Sequence, residues 1–290
     1  MEERSNGWRF TLSTTALRAG DTARLLRRHP FRTLLVLGIA IIGLDIGSLP
    51  FGDLYRLRKI NPRETELMRE QERLAREQGT TLRRVQVWTP LDKIPSTLID
   101  AVIVAEDGTF WSNQGFDWFE FKESVWKDIR ELKPARGAST ITQQLVKNLY
   151  LSPSKNPLRK LKEWILTWYA ERTLTKSRIL ELYLNTIEWG DGIYGAGAAA
   201  RYHFGKDVAD LSRDECARLA AIIPSPRRHR ADSNSSYVIR RSKIVIARMD
   251  ARGWGLPPPD ENFFESGEDT IPAESGRVNF DSTSGIRDSL

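Results

Sequence analysis

The spacing of hydrophobic and polar residues changes from one segment of this chain to the next. Residues 33–51 form a nearly continuous apolar run, close to the roughly 20 residues that cross a bilayer as a helix. Residues 62–78 are rich in Glu and Arg and are followed by Gly79, which predicts a solvated helix. Residues 85–88 alternate like a short strand, and helical periodicity dominates the second half of the domain that follows. These patterns predict a membrane span, a charged spacer and a folded domain with a helical second half.

The same patterns divide the chain into five segments. A basic leader over residues 1–32 precedes the transmembrane helix at 33–51, a charged juxtamembrane spacer helix occupies 52–84, and the folded domain covers 85–255. Residues 256–290 are acidic and rich in Pro, Ser and Gly, which predicts a disordered tail. The basic leader favours a cytoplasmic N-terminus. A cleaved signal peptide is the rival interpretation, but the leader is long for one and no small-x-small cleavage site follows.

Charge and the rarer residue types narrow the available chemistry. A net charge of +6 over 290 residues favours an anionic partner, such as nucleic acid, a phospholipid surface or a phosphate-bearing substrate. The single cysteine, Cys216, excludes an internal disulfide and a cysteine-rich metal site, and its apolar neighbours predict a buried, inert thiol. The three histidines lack the spacing of metal ligands, so a histidine metal centre is not expected.

A first candidate site lies where an apolar run from Leu98 to Ala105 ends in Glu106 and Asp107. The run predicts the buried face of a helix, so its end would deliver a carboxylate to the rim of an apolar pocket. Partial desolvation raises the pKa of such a carboxylate, which makes Glu106 a candidate general base. A solvated helix cap is the plainer interpretation of an acidic pair, and the pair alone does not decide between the two.

A second dense group of polar side chains lies in the middle of the chain. Thr140 and Gln143 have the spacing of a capping box, which predicts the start of a helix. On that helix Gln143 and Lys147 share one face, with Gln144 and Asn148 beside them. A helix start followed one turn later by a lysine also suits an anion.

Two further polar stretches follow. Arg159, Lys160 and Glu163 form the first of them, and Glu171 lies eight residues beyond Glu163. Eight residues correspond to about 80° around a helix, so the two carboxylates are expected to face the same space. The second stretch covers residues 176–185, Lys-Ser-Arg-Ile-Leu-Glu-Leu-Tyr-Leu-Asn.

In order and spacing these four stretches resemble the motifs of the family 51 glycosyltransferases, the peptidoglycan glycosyltransferases or transglycosylases. The family patterns are Glu-Asp-x-x-Phe-x-x-His-x-Gly, Gly-x-Ser-Thr-x-x-Gln-Gln-x-x-Lys-Asn, Arg-Lys-x-x-Glu and Lys-x-x-Ile-Leu-Glu-x-Tyr-Leu-Asn. They correspond here to residues 106–115, 137–148, 159–163 and 176–185. The resemblance covers roughly residues 85–255, and a short chain with one anchor is most similar to the monofunctional biosynthetic transglycosylases.

The resemblance implies a mainly α, lysozyme-like transglycosylase domain behind a single N-terminal transmembrane helix. It implies polymerisation of lipid II, an undecaprenyl-pyrophosphate disaccharide-pentapeptide, with inversion at the anomeric carbon. Glu106 is then the general base, and Glu163 assists the donor pyrophosphate. The residues expected to bind substrate are Asp107, Phe110, Ser139, Thr140, Gln143, Gln144, Lys147, Asn148, Lys155, Arg159 and Lys160. The pyrophosphate is bound with or without a divalent cation, Mg²⁺ or Mn²⁺, for which Glu163 is the candidate ligand.

The resemblance also implies partners and a location. Lipid II, the growing glycan strand and membrane lipid are the expected partners. Proteins of cell-wall synthesis or division are compatible with the resemblance, and nucleic acid is not expected. The expected location is the bacterial inner membrane, crossed once, with the catalytic domain in the periplasm.

Two positions depart from the family pattern, and both concern donor affinity rather than reaction type. Asn113 stands where the first motif carries His, and Glu123 reverses the charge that many relatives carry nearby. An inactive membrane-tethered scaffold and a muralytic hydrolase with Glu106 as acid are the alternative functions. Ser152 and Lys155 fit the Ser-x-x-Lys motif of penicillin-binding transpeptidases, but the other motifs of that chemistry do not follow.

Overall fold

The structure is a computed structural model that describes residues 30–115, 139–153 and 157–252. Its helices are α1 (Pro30–Gly47), α2 (Phe51–Arg56), α3 (Glu66–Glu77), α4 (Ser96–Glu106), α5 (Ile141–Tyr150), α6 (Pro157–Thr173), α7 (Lys176–Thr186), α8 (Ala196–Phe204), α9 (Arg213–Ile222) and α10 (Ser236–Arg252). Short 3-10 turns occupy Leu91–Lys93 and Val208–Asp210. The prediction of a mainly α-helical domain is confirmed.

A small sheet joins the front of the domain to its middle. Its strands are β1 (Val85–Gln86), β2 (Glu188–Gly190) and β3 (Ile193–Tyr194), in the order β1-β3-β2. β1 runs parallel to β3 and β2 antiparallel to it, with an irregular register within β2. The strand predicted at residues 85–88 is therefore present; it covers Val85–Gln86, and the Val87 N–H adds one bond to the Tyr194 carbonyl at 3.4 Å.

One buried side chain from α7 holds the segment after β1 in place. Asn185 Oδ1 accepts from the backbone N–H of Thr89 at 2.7 Å, and Asn185 Nδ2 donates to the Thr89 carbonyl at 2.8 Å. Both groups are buried, so losing either bond would leave an unpaired polar atom in the core. The last residue of the fourth motif is thus a structural contact that fixes the segment leading into α4.

The core is built around the C-terminal half of α4, where four consecutive residues, 101–104, are buried. Ala101, Val102 and Ile103 are fully buried at consecutive positions, as expected for a helix enclosed by others. α4 packs against α9 and α10, whereas α5 packs against α6 and α7. The C-terminal end of α4 and the start of α5 therefore meet between two groups of helices.

The apolar N-terminal helix stands apart from this core. Among the described residues, Phe31–Arg56 is the one segment long and apolar enough to cross a membrane, and its side chains are almost all exposed. The continuous helix ends at Gly47, earlier than the predicted end at residue 51. Pro50 explains the difference, because the residue before a proline avoids the α conformation and proline itself lacks an N–H to donate.

The residues after the break belong to the folded domain. Leu54 on α2 is fully buried and Leu57 nearly so. α2 packs against α6, and the rings of Phe51 and Tyr169 meet edge to face with centroids 4.9 Å apart. Lys162 on α6 also donates to Asp45 Oδ1 near the end of α1, at 2.6 Å. The anchor therefore meets the domain through direct contacts.

The prediction of a solvated spacer at residues 52–84 is wrong for α3. Met68 is fully buried, Ala75 is buried seven residues later, and the helix packs against α5. Its other face is solvated as predicted, with Arg73 paired to Glu70 and Glu77. The folded domain therefore begins before residue 85, because one face of this charge-rich helix is apolar at helical spacing.

Cys216 behaves as its apolar neighbours predicted. It is fully buried on α9, and burial raises the pKa of its thiol to about 12. A protonated, inaccessible thiol is a poor nucleophile, so Cys216 contributes packing rather than chemistry. Residues 1–29 of the predicted basic leader and the whole of the predicted acidic tail lie outside the described residues, whereas residues 30–32 belong to α1.

Candidate active site

Glu106 is the last residue of α4, and its carboxylate lies against the start of α5. Its side chain is only 10% exposed. Glu106 Oε2 accepts a hydrogen bond from Gln144 Nε2 at 3.0 Å. Burial raises the pKa of Glu106, and the hydrogen bond from Gln144 and the charges of Arg241 and Lys147 oppose that rise in part. The direction agrees with the desolvation expected at the end of an apolar helix.

Gln144 is itself held in one orientation by a buried hydroxyl. Tyr183 on α7 donates from its hydroxyl to Gln144 Oε1 at 3.0 Å. Because the amide oxygen is taken by Tyr183, the amide nitrogen must face Glu106. The Ser139 carbonyl lies 3.5 Å from the same nitrogen. Residues of the first, second and fourth motifs therefore meet at one hydrogen-bonded chain that aims the Glu106 carboxylate.

Asp107, predicted to contact substrate, binds two groups of the protein through its carboxylate. Its Oδ2 accepts from the backbone N–H of Ile141, the first residue of α5, at 3.0 Å. Its Oδ1 accepts from Asn113 Nδ2 at 2.8 Å. A carboxylate at a helix N-terminus satisfies a free N–H group and is stabilised by the helix dipole. The buried Asp107 carboxylate thus fixes where α5 begins.

Three more of the predicted substrate-binding residues are occupied within the protein. Thr140 and Gln143 form the predicted capping box, and both side chains are buried. Thr140 Oγ1 also donates to the Gly115 carbonyl at 2.8 Å. Phe110 is fully buried, with the Lys176 ammonium 4.7 Å from its ring centroid. Each of these buried side chains therefore has a partner within the protein.

Asn113, the departure from the family pattern, is a four-way junction. Its Nδ2 donates to Asp107 Oδ1, and to Thr109 Oγ1 at 3.3 Å. Its Oδ1 accepts from the Gly115 N–H at 3.0 Å and from Lys176 Nζ at 3.2 Å. A neutral amide supplies both donors and acceptors, so Asn113 satisfies the loop without adding charge.

The expectation that Glu163 and Glu171 face the same space is wrong. Glu171 Oε2 pairs with Lys176 Nζ at 2.8 Å, and Glu171 also accepts from the Thr142 hydroxyl. It therefore lies at the Asn113 junction, where Lys176 contacts both residues. Glu163 lies two turns earlier on α6, with other cations. The 80° of rotation is less decisive than the distance along the helix axis, about 12 Å over eight residues.

Glu163 is the centre of a cluster of cations. Its side chain is 3% exposed, and Oε2 pairs with Arg159 Nη1 at 3.3 Å. Lys160 Nζ donates to Oε1. Burial and the positive charges of Arg159 and Lys160 lower the pKa of Lys147, which Glu163 and Glu106 partly offset. Three cations around one carboxylate leave an excess of positive charge, which suits a phosphate group.

The residues around Glu163 do not fit a metal ion held by the protein. A divalent cation needs several oxygen ligands, whereas both Glu163 oxygens face Arg159 and Lys160. Within the described ranges no group of three or more His, Cys, Asp or Glu side chains is arranged to bind a metal. The candidate metal ligand is thus a partner of the protein's own cations.

The remaining predicted residues divide between two cases. Ser139, Lys147 and Asn148 are partly exposed, and the last two lie on α5 about one turn beyond Gln144. Lys155 and Glu123 lie outside the described residues. Two residues that sequence reasoning missed also reach the site: Tyr183 belongs to the fourth motif, whereas Arg241 on α10 lies 135 residues beyond Glu106 with no local motif to reveal it.

Comparison with known proteins gives a consistent result. A model of the family described as Transglycosylase matches residues 71–250. A biosynthetic peptidoglycan transglycosylase of Paraburkholderia xenovorans (strain LB400) is 37% identical over 232 residues, which cover 79% of this chain and 97% of the relative. Proteins with the same name from Chromobacterium violaceum and Methylobacillus flagellatus are 38% and 44% identical over 224 and 162 residues. Those matches cover 77% and 56% of this chain, and 97% and 71% of the relatives.

Gly115 provides a stability test of the segment 107–115, which follows α4. Its φ is +83°, and an added Cβ would lie 2.7 Å from Glu171 Cγ and from Thr167 Cγ2. Gly115→Ala should therefore lower the free energy of unfolding by about 3 kcal/mol, from backbone strain and overpacking together. Denaturant unfolding followed by tryptophan fluorescence in detergent measures the loss.

Gly79→Ala is the matched control. Gly79 also has positive φ, +69°, but no atom lies within 4 Å of the added Cβ. It should cost only the backbone strain, about 1 kcal/mol. Equal losses in the two variants would contradict the close packing of the loop against α6.

Proposed function

The chain belongs to the transglycosylase family, and we propose that, as a peptidoglycan glycosyltransferase, it polymerises lipid II into glycan strands with inversion at the anomeric carbon. The observation that carries the proposal is that α5 joins two kinds of chemistry. Gln144 on this helix binds the desolvated carboxylate of Glu106. Lys147, one turn later, interacts electrostatically with both Glu106 and Glu163. A base and an anion site lie side by side.

On the acceptor side, Glu106 takes the proton from a sugar hydroxyl. The hydroxyl oxygen forms a bond to the anomeric carbon of the donor while the bond from that carbon to the pyrophosphate breaks. A hydroxyl is a weak nucleophile at neutral pH, so proton removal must accompany bond formation. The burial of Glu106 strengthens it as a base, and Gln144 supports the role by fixing the carboxylate's direction.

On the donor side, the cation cluster stabilises the leaving pyrophosphate. Lys147, Arg159 and Lys160 supply positive charge where negative charge grows as the bond breaks. Glu163 assists by holding Arg159 and Lys160 in position, through its two carboxylate oxygens. No step is assigned to a metal ion, because the donor set at Glu163 does not fit one.

The cation cluster also weighs against the alternative functions. A muralytic hydrolase acts on a glycan without phosphate, and it has no use for three cations beside its acid. An inactive scaffold would not need a desolvated carboxylate held by an oriented amide, since both cost stability. Contacts with other proteins of cell-wall synthesis or division stay a prediction from the family resemblance.

For location, we propose that α1 crosses the bacterial inner membrane once. The leader over residues 1–32 then lies in the cytoplasm, and the catalytic domain faces the periplasm. The exposed apolar surface of α1 supports a lipid environment, because such a surface is costly in water. The lipid tail of the donor would share that membrane.

Glu106→Gln tests the general base. The variant keeps an acceptor for Gln144 but cannot take a proton, so polymer formation from labelled lipid II should fall by about 10²-fold or more. The free energy of unfolding should not fall, because a buried charge is removed. Asp107→Asn is the comparison, since it should lower stability by weakening the start of α5. Substantial turnover by Glu106→Gln would assign the base to another residue.

Topology is tested with reporter fusions at Leu290. The proposal expects alkaline phosphatase, which is active only after export, to work there, because the domain lies in the periplasm. The same fusion to a chain that lacks residues 1–51 should be inactive. An inactive phosphatase in the full chain, together with an active cytoplasmic reporter at the same position, would reverse the proposed orientation.

Asn113→His tests the departure from the family pattern. A neutral histidine offers one donor and one acceptor, which replaces part of the junction at Asp107 and Lys176. The rate of polymerisation should therefore change by less than about tenfold, or about 1.4 kcal/mol of barrier. The rates should be compared at several pH values, because histidine gains charge below its pKa. A gain well above tenfold at low pH would show that a missing cation limits this enzyme.

A further inference from the structure

Arg241 on α10 approaches one oxygen of the Glu106 carboxylate, and Gln144 on α5 binds the other. Arg241 Nη2 lies 3.9 Å from Glu106 Oε1, which is too far for a hydrogen bond but close enough for a strong charge interaction. The Arg241 side chain is 34% exposed, yet its Nε is buried and has no hydrogen-bond partner among the described residues. Burying an unpaired donor costs stability, so packing alone does not explain this arginine.

The titratable groups around Glu106 come from α5, α7 and α10 and from Asp107, the residue that follows α4. Asp107 follows Glu106 on the chain and its negative charge raises the pKa of Glu106. Lys147 on α5 and Arg241 on α10 both lower it, and Arg241 has the larger effect. Tyr183 on α7 reaches Glu106 through Gln144 as a neutral hydroxyl, since burial raises the phenol pKa.

We propose that Arg241 is a positioning residue that acts through Glu106: its guanidinium keeps the carboxylate charged and in place without occupying the oxygen that receives the proton. Gln144 bonds Oε2, and Oε1 faces Arg241 across a gap with no hydrogen bond. The charge stabilises the base before reaction, while a lone pair on Oε1 stays available to the acceptor hydroxyl. The inference rests on the proposed function of Glu106 as general base.

The test compares three variants as full-length protein in detergent with labelled lipid II. Arg241→Gln removes the charge, Arg241→Lys keeps it without the planar guanidinium, and Arg240→Gln removes the same charge one residue away. Arg240 is exposed on α10, so it controls for any general effect of charge on binding an anionic lipid. Unfolding curves establish that each variant is folded, and kcat and KM are measured between about pH 5.5 and pH 9.

The expected result is a change in the pH profile. Without Arg241 the carboxylate protonates more readily, so the acid limb of the kcat profile should move to higher pH. The ratio of kcat for Arg241→Gln to kcat for the unchanged protein should be about tenfold lower near pH 6 than near pH 8.5. In Arg241→Lys and Arg240→Gln the acid limb of the kcat profile should lie at the same pH as in the unchanged protein. A uniform loss at every pH, or the same shift in Arg240→Gln, would overturn the proposal.

A second measurement does not depend on polymerisation. The ¹³C carboxyl signal of labelled Glu106, identified by its absence in Glu106→Gln, should titrate at higher pH in Arg241→Gln than in the unchanged protein. An unshifted titration overturns the role of Arg241 even if activity falls. If the unchanged protein makes no polymer, the proposed function fails, and the titration still decides whether Arg241 acts on Glu106. Should Arg241→Gln not fold, Arg241→Lys decides, because a shifted profile there contradicts a role for charge.

Discussion

The bond from the Ile141 N–H to Asp107 Oδ2 joins the end of one buried helix to the start of another. The two residues are 34 positions apart, yet this bond and the capping box of Thr140 and Gln143 set where α5 begins. Gln144 can reach Glu106 only because α5 begins at that point. Asn113 donates a hydrogen bond to the other oxygen of the same Asp107 carboxylate. The two acidic residues therefore have different positions: Asp107 holds the start of α5, and the Glu106 carboxylate lies next to it in the proposed active site.

Sequence reasoning succeeded where the signal is local. The capping box was predicted from two residues at fixed spacing, and the raised pKa of Glu106 from the apolar run before it. It could not separate the motif residues by burial: Phe110, Thr140 and Gln143 belong to the motifs and are buried in the structure. The motif alone does not report which side chains face solvent. For α3, the apolar Met68 and Ala75 at seven-residue spacing were a usable signal within a charge-rich segment.

Other contacts had no local signal at all. Arg241 reaches Glu106 across 135 residues, and Asn185 binds the backbone of Thr89 across 96 residues. The net charge of +6 likewise predicted an anionic partner without saying where it would bind. In the structure the relevant excess is local, three cations on α5 and α6 around one carboxylate. A chain of ordinary overall charge could carry the same site.

The contact between the anchor and α6 has a mechanical consequence. Lys162, which pairs with Asp45 at the end of α1, is the immediate neighbour of Glu163 in the cation cluster. α2 packs on the same helix through Phe51 and Tyr169. These contacts couple the orientation of α1 to the helix that carries the cations. Because Arg159 and Lys160 lie within one turn of Lys162, the contact with Asp45 also helps to determine how far from the membrane-spanning helix a phosphate group would be bound.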